Sequence, residues 1–223
     1  VSFQGNQLLT LLNTIYFKDE WMDRFERRQT KPDAFYVSAQ QTVQCDYMNR
    51  TYAMHPYTRG EGFTRSALSL KNGGRMVFIL PDQGVSVDTL LASPQKAASL
   101  FLGVDQGTGK VVFQIPKFSF GSKLNLKKTL HAMGVRCAFE SDQADFSGMT
   151  QDQAFFSQIL QETHIAIDEK GVEAAAFTKL DYAGTGAPNE KEAYMILNRP
   201  FLYGIVSDGV LLFAGVCNQP AES

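Results

Sequence analysis

The sequence predicts a mixed α+β fold, with most strands in large antiparallel-rich sheets and only a few short helices between them. Three observations carry that expectation. Several runs have the length and composition of strands, the helical stretches are short, and the last two strands flank a tight Ser207-Asp208-Gly209 turn that reads as a hairpin. The chain has 223 residues and is 44% hydrophobic, enough to bury a core in one or two domains.

Taken in order, Leu8 to Phe17 is nearly continuously apolar around Asn13, the pattern of a strand covered on both faces. Arg75 to Leu80 and Lys110 to Ile115 follow as strands. Between them, Asp88 to Ala92 reads as a short helix, and a second runs through Ala97 with Ser93 as its cap and Pro94 at its first position. A third helix is expected over Lys123 to Met133, closed by Gly134. Phe155 to Ile167, Phe201 to Val206 and Val210 to Val216 complete the strands.

The segment after Ile167 is ambivalent. From Gly171 onward, Val172, Ala174, Ala176, Thr178 and Leu180 fall on one face of an extended chain, and Glu173, Ala175, Phe177, Lys179 and Asp181 on the other. Every charge then lies on one side, so the stretch can join a sheet with its small face inward. Its three alanines also admit a short helix over Glu173 to Leu180 as the lesser alternative.

Several function classes are excluded by composition and spacing. With 21 basic and 23 acidic side chains the formal net charge is −2, which disfavours nucleic acid, and the Arg24, Arg27, Arg28 and Lys31 cluster reads as solvated surface. No apolar run approaches the roughly 20 residues that cross a bilayer as a helix. Cys45, Cys137 and Cys217 are odd in number and far apart, the pattern of buried free thiols rather than of a disulfide framework or zinc site. His55, His131 and His164 have no metal-ligand spacing, so structural roles, no metal and no cofactor are expected. Gly103 to Lys110 fails as a phosphate loop because Val104 and Val111 stand where Gly and Ser or Thr are needed. Asp145-Phe146-Ser147-Gly148 lacks the first glycine of a nucleophile elbow, so no catalytic residue is assigned. Val1 in place of Met is expected of a chain that begins within a longer protein, and the compartment stays open.

An ordered set of motifs remains. Asn13-Thr14-Ile15-Tyr16-Phe17-Lys18 is followed by Trp21, Phe25, Thr30 and Phe35, then by Phe78-Ile79-Leu80-Pro81. Pro116-Lys117-Phe118 with Leu124 and Leu126, Ala144-Asp145-Phe146-Ser147-Gly148, and Asp168-Glu169-Lys170-Gly171 with its alanines come next. Asn198-Arg199-Pro200-Phe201 and Phe213-Ala214-Gly215-Val216-Cys217-Asn218-Gln219-Pro220 close the series. From Leu8 to Pro220 the chain resembles the C-terminal part of a serpin, without the N-terminal helical region of that family. It departs from the pattern at Val172, where the family prefers Thr or Ser, at Phe177, and at Gln161, where many animal serpins carry a histidine opposite Asn13.

The resemblance implies residues 1–223 as part of one serpin domain, with a reactive-centre loop at about 170–195 and an extracellular or periplasmic setting. It implies a suicide-type inhibitor of serine proteases. The protease would form an acyl-enzyme on the loop, and the freed hinge would insert into the main sheet. The hinge falls on Glu169, Gly171, Val172, Glu173, Ala174, Ala175, Ala176 and Thr178, and the sheet-opening region on Asn13, Trp21, Lys117 and Gln161. Lys117 is expected to pair with Glu169, and Trp21 to be buried nearby. The family's spacing of about sixteen residues from Glu169 puts the reactive bond at Thr185-Gly186. Small residues there suit elastase-like or subtilisin-like enzymes. The alternatives are a non-inhibitory serpin, acting as carrier or chaperone, and an inert piece whose N-terminal half is a separate chain.

Overall fold

The computed structural model describes residues 9–172 and 192–220, which form two compact units. The first comprises Val1–Phe17 with Phe120–Ile165, and the second Lys18–Ser119 with Ala166–Ser223.

In the first unit, β1 (Leu9–Tyr16) pairs in parallel with β9 (Phe156–Ile167), which sets Asn13 opposite Gln161. β8 (Phe118–Asn125) pairs with β9, and Lys123 reaches Glu162 at 2.6 Å. The third helix is shorter than its pattern predicts. It covers Lys127–Ala132 as α3, because Lys123 to Asn125 extend β8 and the Asn125 side chain accepts from the Lys127 amide. β1 also differs from expectation. Leu11, Leu12 and Tyr16 are 46%, 53% and 59% exposed, so among the described residues the strand is not covered on both faces. An apolar run encodes a preference for burial, not the atoms that would cover it.

The second unit is an eight-stranded sheet in the order β11-β7-β4-β5-β6-β12-β13, with β3 also paired to β4. In chain order its strands are β3 (Lys31–Tyr36), β4 (Thr42–Gly60), β5 (Phe63–Ser69), β6 (Arg75–Pro81) and β7 (Gly107–Pro116). β11 (Glu192–Ile196), β12 (Phe201–Ser207) and β13 (Val210–Cys217) complete it. The final hairpin forms as expected. Asp208 and Gly209 both have positive φ, 48° and 76°, the requirement of a two-residue loop whose twist matches its strands.

Helices α1 (Val87–Leu90) and α2 (Pro94–Leu102) carry Ser86 and Ser93 as caps, each accepting a backbone N–H three residues on. Leu90, Leu100 and Phe101 from these helices meet Val77, Ile79, Leu202 and Val206 of the sheet in one apolar core. Beside it, the Arg65 guanidinium is buried against Asp105 at 2.9 Å and donates to the Ser99 and Leu100 carbonyls that end α2. The thiols are only partly as predicted: Cys217 is buried and Cys45 half-buried, but Cys137 is exposed. It sits in a short 3-10 turn, Cys137–Phe139, that buries Phe139 instead.

Candidate functional site

The residues singled out around Glu169 converge on one end of the second unit. After Ile167 the chain turns back sharply. The Asp168 carboxylate accepts from the Lys170 and Gly171 amides at 2.8 and 3.2 Å, and the Asp168 amide donates to the Gly171 carbonyl. The turn delivers β10 (Gly171–Val172), two residues seated beside β2 (Asp19–Glu20). Gly171 pairs with Glu20, and Val172 pairs with Asp19 on one side and Ile167 on the other, both antiparallel. Val172 is fully buried. A β-branched apolar residue suits such a two-sided seat, which accounts for its standing in place of Ser or Thr.

Only glycine fits before it. Gly171 has φ +150°, and a Cβ there would lie 2.4 Å from the Glu20 Cα and 2.5 Å from the Asp19 carbonyl oxygen. The carbonyls of the turn are then satisfied in succession. Trp21 Nε1 donates to the Asp168 oxygen at 2.8 Å, the Phe25 amide to Glu169 at 2.9 Å, and the Trp21 amide to Lys170 at 3.1 Å. Trp21 is buried as expected, edge-on to Phe25 at 6.0 Å and near Phe78 at 6.5 Å.

The expected ion pair between Lys117 and Glu169 is present at 3.4 Å, and the Thr30 hydroxyl adds a 2.8 Å hydrogen bond to the same carboxylate. Glu169 is only 5% exposed. Burial alone would raise its pKa, but its own backbone N–H, the Thr30 hydroxyl and the Lys117 ammonium outweigh that and hold the carboxyl below its usual range. Lys117 itself lies in the break between β7 and β8 rather than within a strand, and its amide donates to the Asp46 carbonyl at 2.8 Å. Asp19, also buried, accepts from the Asn72 amide and side chain.

Glu169, Gly171, Val172, Trp21 and Lys117 are thus brought together, while Asn13 and Gln161 face each other in the first unit. Glu173, Ala174, Ala175, Ala176, Thr178, Thr185 and Gly186 lie outside the described residues. Sequence reasoning gave no role to Thr30, Phe25 or Asn72. Thr30 and Phe25 were visible as parts of the motif around Trp21, yet a motif does not say which partner its residues hold. Among the described residues no cluster of three or more His, Cys, Asp or Glu side chains could hold a metal ion. Half-buried His55 contacts the Ala67 carbonyl at 2.8 Å, lies tilted against Tyr52 at 4.5 Å and meets Phe113 edge-on at 5.3 Å.

The family model for serpins, serine protease inhibitors, matches residues 2–220. Among curated relatives, an alpha-1-antitrypsin homolog of Cyprinus carpio is 33% identical over 98% of this chain and 58% of its own length. Serpin A3-6 of Bos taurus is 31% identical over 96% of this chain and 52% of its own. Intracellular coagulation inhibitor 2 of Tachypleus tridentatus is 32% identical over 93% and 52%. Among solved structures, Serpin48 of the insect Tenebrio molitor superposes with a TM-score of 0.82 at 27% identity, covering 98% of this chain and 58% of that one. Human thyroxine-binding globulin superposes with a TM-score of 0.83 at 26% identity, covering 100% and 59%. The chain therefore spans between half and three fifths of the length of these proteins.

Proposed function

The chain belongs to the serpin family, and from that premise we propose that it supplies the sheet and reactive loop of a serine protease inhibitor consumed in a single turnover. The observation that carries this reading is the seat of Val172, already paired on both sides at the head of an uncharged, small-residue face. A charged or bulky residue there would oppose strand insertion; Val172 favours it.

In this reading a protease attacks the carbonyl of Thr185, Gly186 leaves with the new amine, and the acyl-enzyme is carried along as the hinge inserts. Fourteen residues from Val172 to Thr185 span roughly 46 Å at ~3.3 Å each, enough to drag the protease along the sheet. The Glu169 latch keeps the turn docked, so that insertion starts from a fixed end. The small residues Ala183, Gly184 and Thr185 suit a shallow primary pocket, hence an elastase-like or subtilisin-like target.

The test is to mix the full-length protein with elastase-like, subtilisin-like and trypsin-like proteases and look for an adduct that survives SDS. The expected result is an adduct with the first two, and a cleavage between residues 184 and 187. Rapid loop cleavage with no adduct from any enzyme would overturn the inhibitory reading in favour of a carrier or chaperone role.

A further inference from the structure

The two residues that donate to Glu169 from the β2–β3 connection, Phe25 and Thr30, do not hold themselves in place. Each directly follows a residue whose carbonyl is gripped by β4. Arg50 Nη1 donates to the Arg24 carbonyl at 2.6 Å, its Nη2 lies 4.0 Å from the Asp23 carboxylate, and its guanidinium sits 4.9 Å over the Tyr52 ring. Asn49 Nδ2 donates to the Gln29 carbonyl at 2.9 Å and to the Tyr47 carbonyl at 2.9 Å. Gln29 ends the 3-10 turn Arg27–Gln29, where carbonyls lose their partners within the turn. Asn49 and Arg50 are consecutive on β4, so one strand fixes both ends of the connection.

We propose that Asn49 is a positioning residue for the Glu169 latch: by tying the Gln29 carbonyl to β4 it aims the Thr30 hydroxyl at the Glu169 carboxylate. Both protons of the Asn49 amide are committed to carbonyls, one on each side of the gap between β4 and the turn. The bridge needs a side chain that carries two donors at this reach, which the Asn49 amide supplies. Arg50 holds the Phe25 end separately, through Arg24, so the two ends of the connection are fixed by different chemistry. The positional claim rests on this geometry, and its consequence for inhibition rests on the inhibitory reading above.

The test is a double-mutant cycle on the full-length protein, read by amide hydrogen exchange at Trp21 and Phe25, which donate to Lys170 and Glu169. Bacterial expression keeps the Asn49-Arg50-Thr51 sequon unmodified. Asn49→Asp keeps the shape and removes both donors; Asn49→Ser is the milder second variant should the first not fold. Thr30→Val is expected to speed exchange at the two amides about fivefold, the loss of one net hydrogen bond, and Asn49→Asp, which removes two and sets a carboxylate against two carbonyls, at least as much. The double variant should be no faster than the quicker single one, and exchange within β6 should not change. Unchanged exchange in either Asn49 variant, or effects that multiply in the double variant, would overturn the proposal. Should exchange behave as expected while no protease forms an adduct, the brace stands and the inhibitory reading falls.

Discussion

Gly171→Ala in the full-length protein should undock the turn from β2. The added methyl would lie 2.4 Å from the Glu20 Cα, 2.5 Å from the Asp19 oxygen and 2.8 Å from the Trp21 nitrogen, all backbone atoms that no rotamer change can move. Overpacking of this kind costs about 1–3 kcal/mol, and φ +150° costs an L residue a further ~1–3 kcal/mol. Undocking instead forfeits the burial of Val172, about 1.5–3 kcal/mol, and hydrogen bonds worth ~1 kcal/mol each. Strain totals about 2–6 kcal/mol and undocking, with three hydrogen bonds, about 4.5–6 kcal/mol, so the routes are comparable, the penalty is ~4–5 kcal/mol and the undocked state becomes populated. The assay is Trp21 emission together with thermal unfolding, with Gly209→Ala as control. Gly209 also has positive φ, +76°, but nothing lies within 4 Å of its added methyl, so the control loses about 1 kcal/mol. The expected result is a red shift of Trp21 as its bond to Asp168 is lost, and a Tm lowered by roughly 5 °C. A Tm within about 2 °C of the parent's and an unchanged emission would refute the reasoning.

Glu169→Gln should flatten the acid limb of stability. The folded carboxyl titrates below 4.5, so its ionisation stabilises the fold above that pH and the benefit is lost as pH falls through the folded value. The Tm gap between parent and variant should therefore narrow toward about pH 3, and a gap equal there and at ~pH 7 would contradict the assignment. Arg65→Met strands Asp105 and two carbonyls, costing about 3 kcal/mol or roughly 3–4 °C of Tm in the full-length protein, and Arg65→Met with Asp105→Leu should recover part of it. A double variant no better than the single one would show that the pair is not the cause. Ala174→Arg should raise the number of inhibitor molecules consumed per protease inactivated, because its face would be buried on insertion, and Ala175→Arg should raise it much less. Equal effects would count against strand insertion.

How much of this was legible in sequence depends on whether a signal was local. The hairpin at Asp208-Gly209 and the Ser93 cap were readable because turn chemistry and capping act within a few residues. β4 was missed. Its alternation breaks at a register shift between Tyr52 and His55, and its edge partners change along its length, β3 over Thr42–Tyr47, β7 over Tyr47–Tyr57 and β5 over Tyr57–Gly60. The same limit applies at the latch. The family motifs bring Glu169, Lys117 and Trp21 to mind as a group, but Asn72 and Asn49 act through backbone carbonyls and a buried carboxylate that no spacing rule encodes. The exposure of Leu11 and Leu12 could not be read either, since it depends on what lies over the strand and not on the strand itself.

The double pairing of Val172 also sets a phase. In antiparallel strands each step forward on one is a step back on its partner, so Val172 is held by two counts at once, one from Asp19 and one from Ile167. A slip of one residue on either side would turn its side chain to the opposite face and carry Gly171 away from the Glu20 backbone that only a glycine can approach. The seat works as a vernier, in which both neighbours must agree before the turn can close.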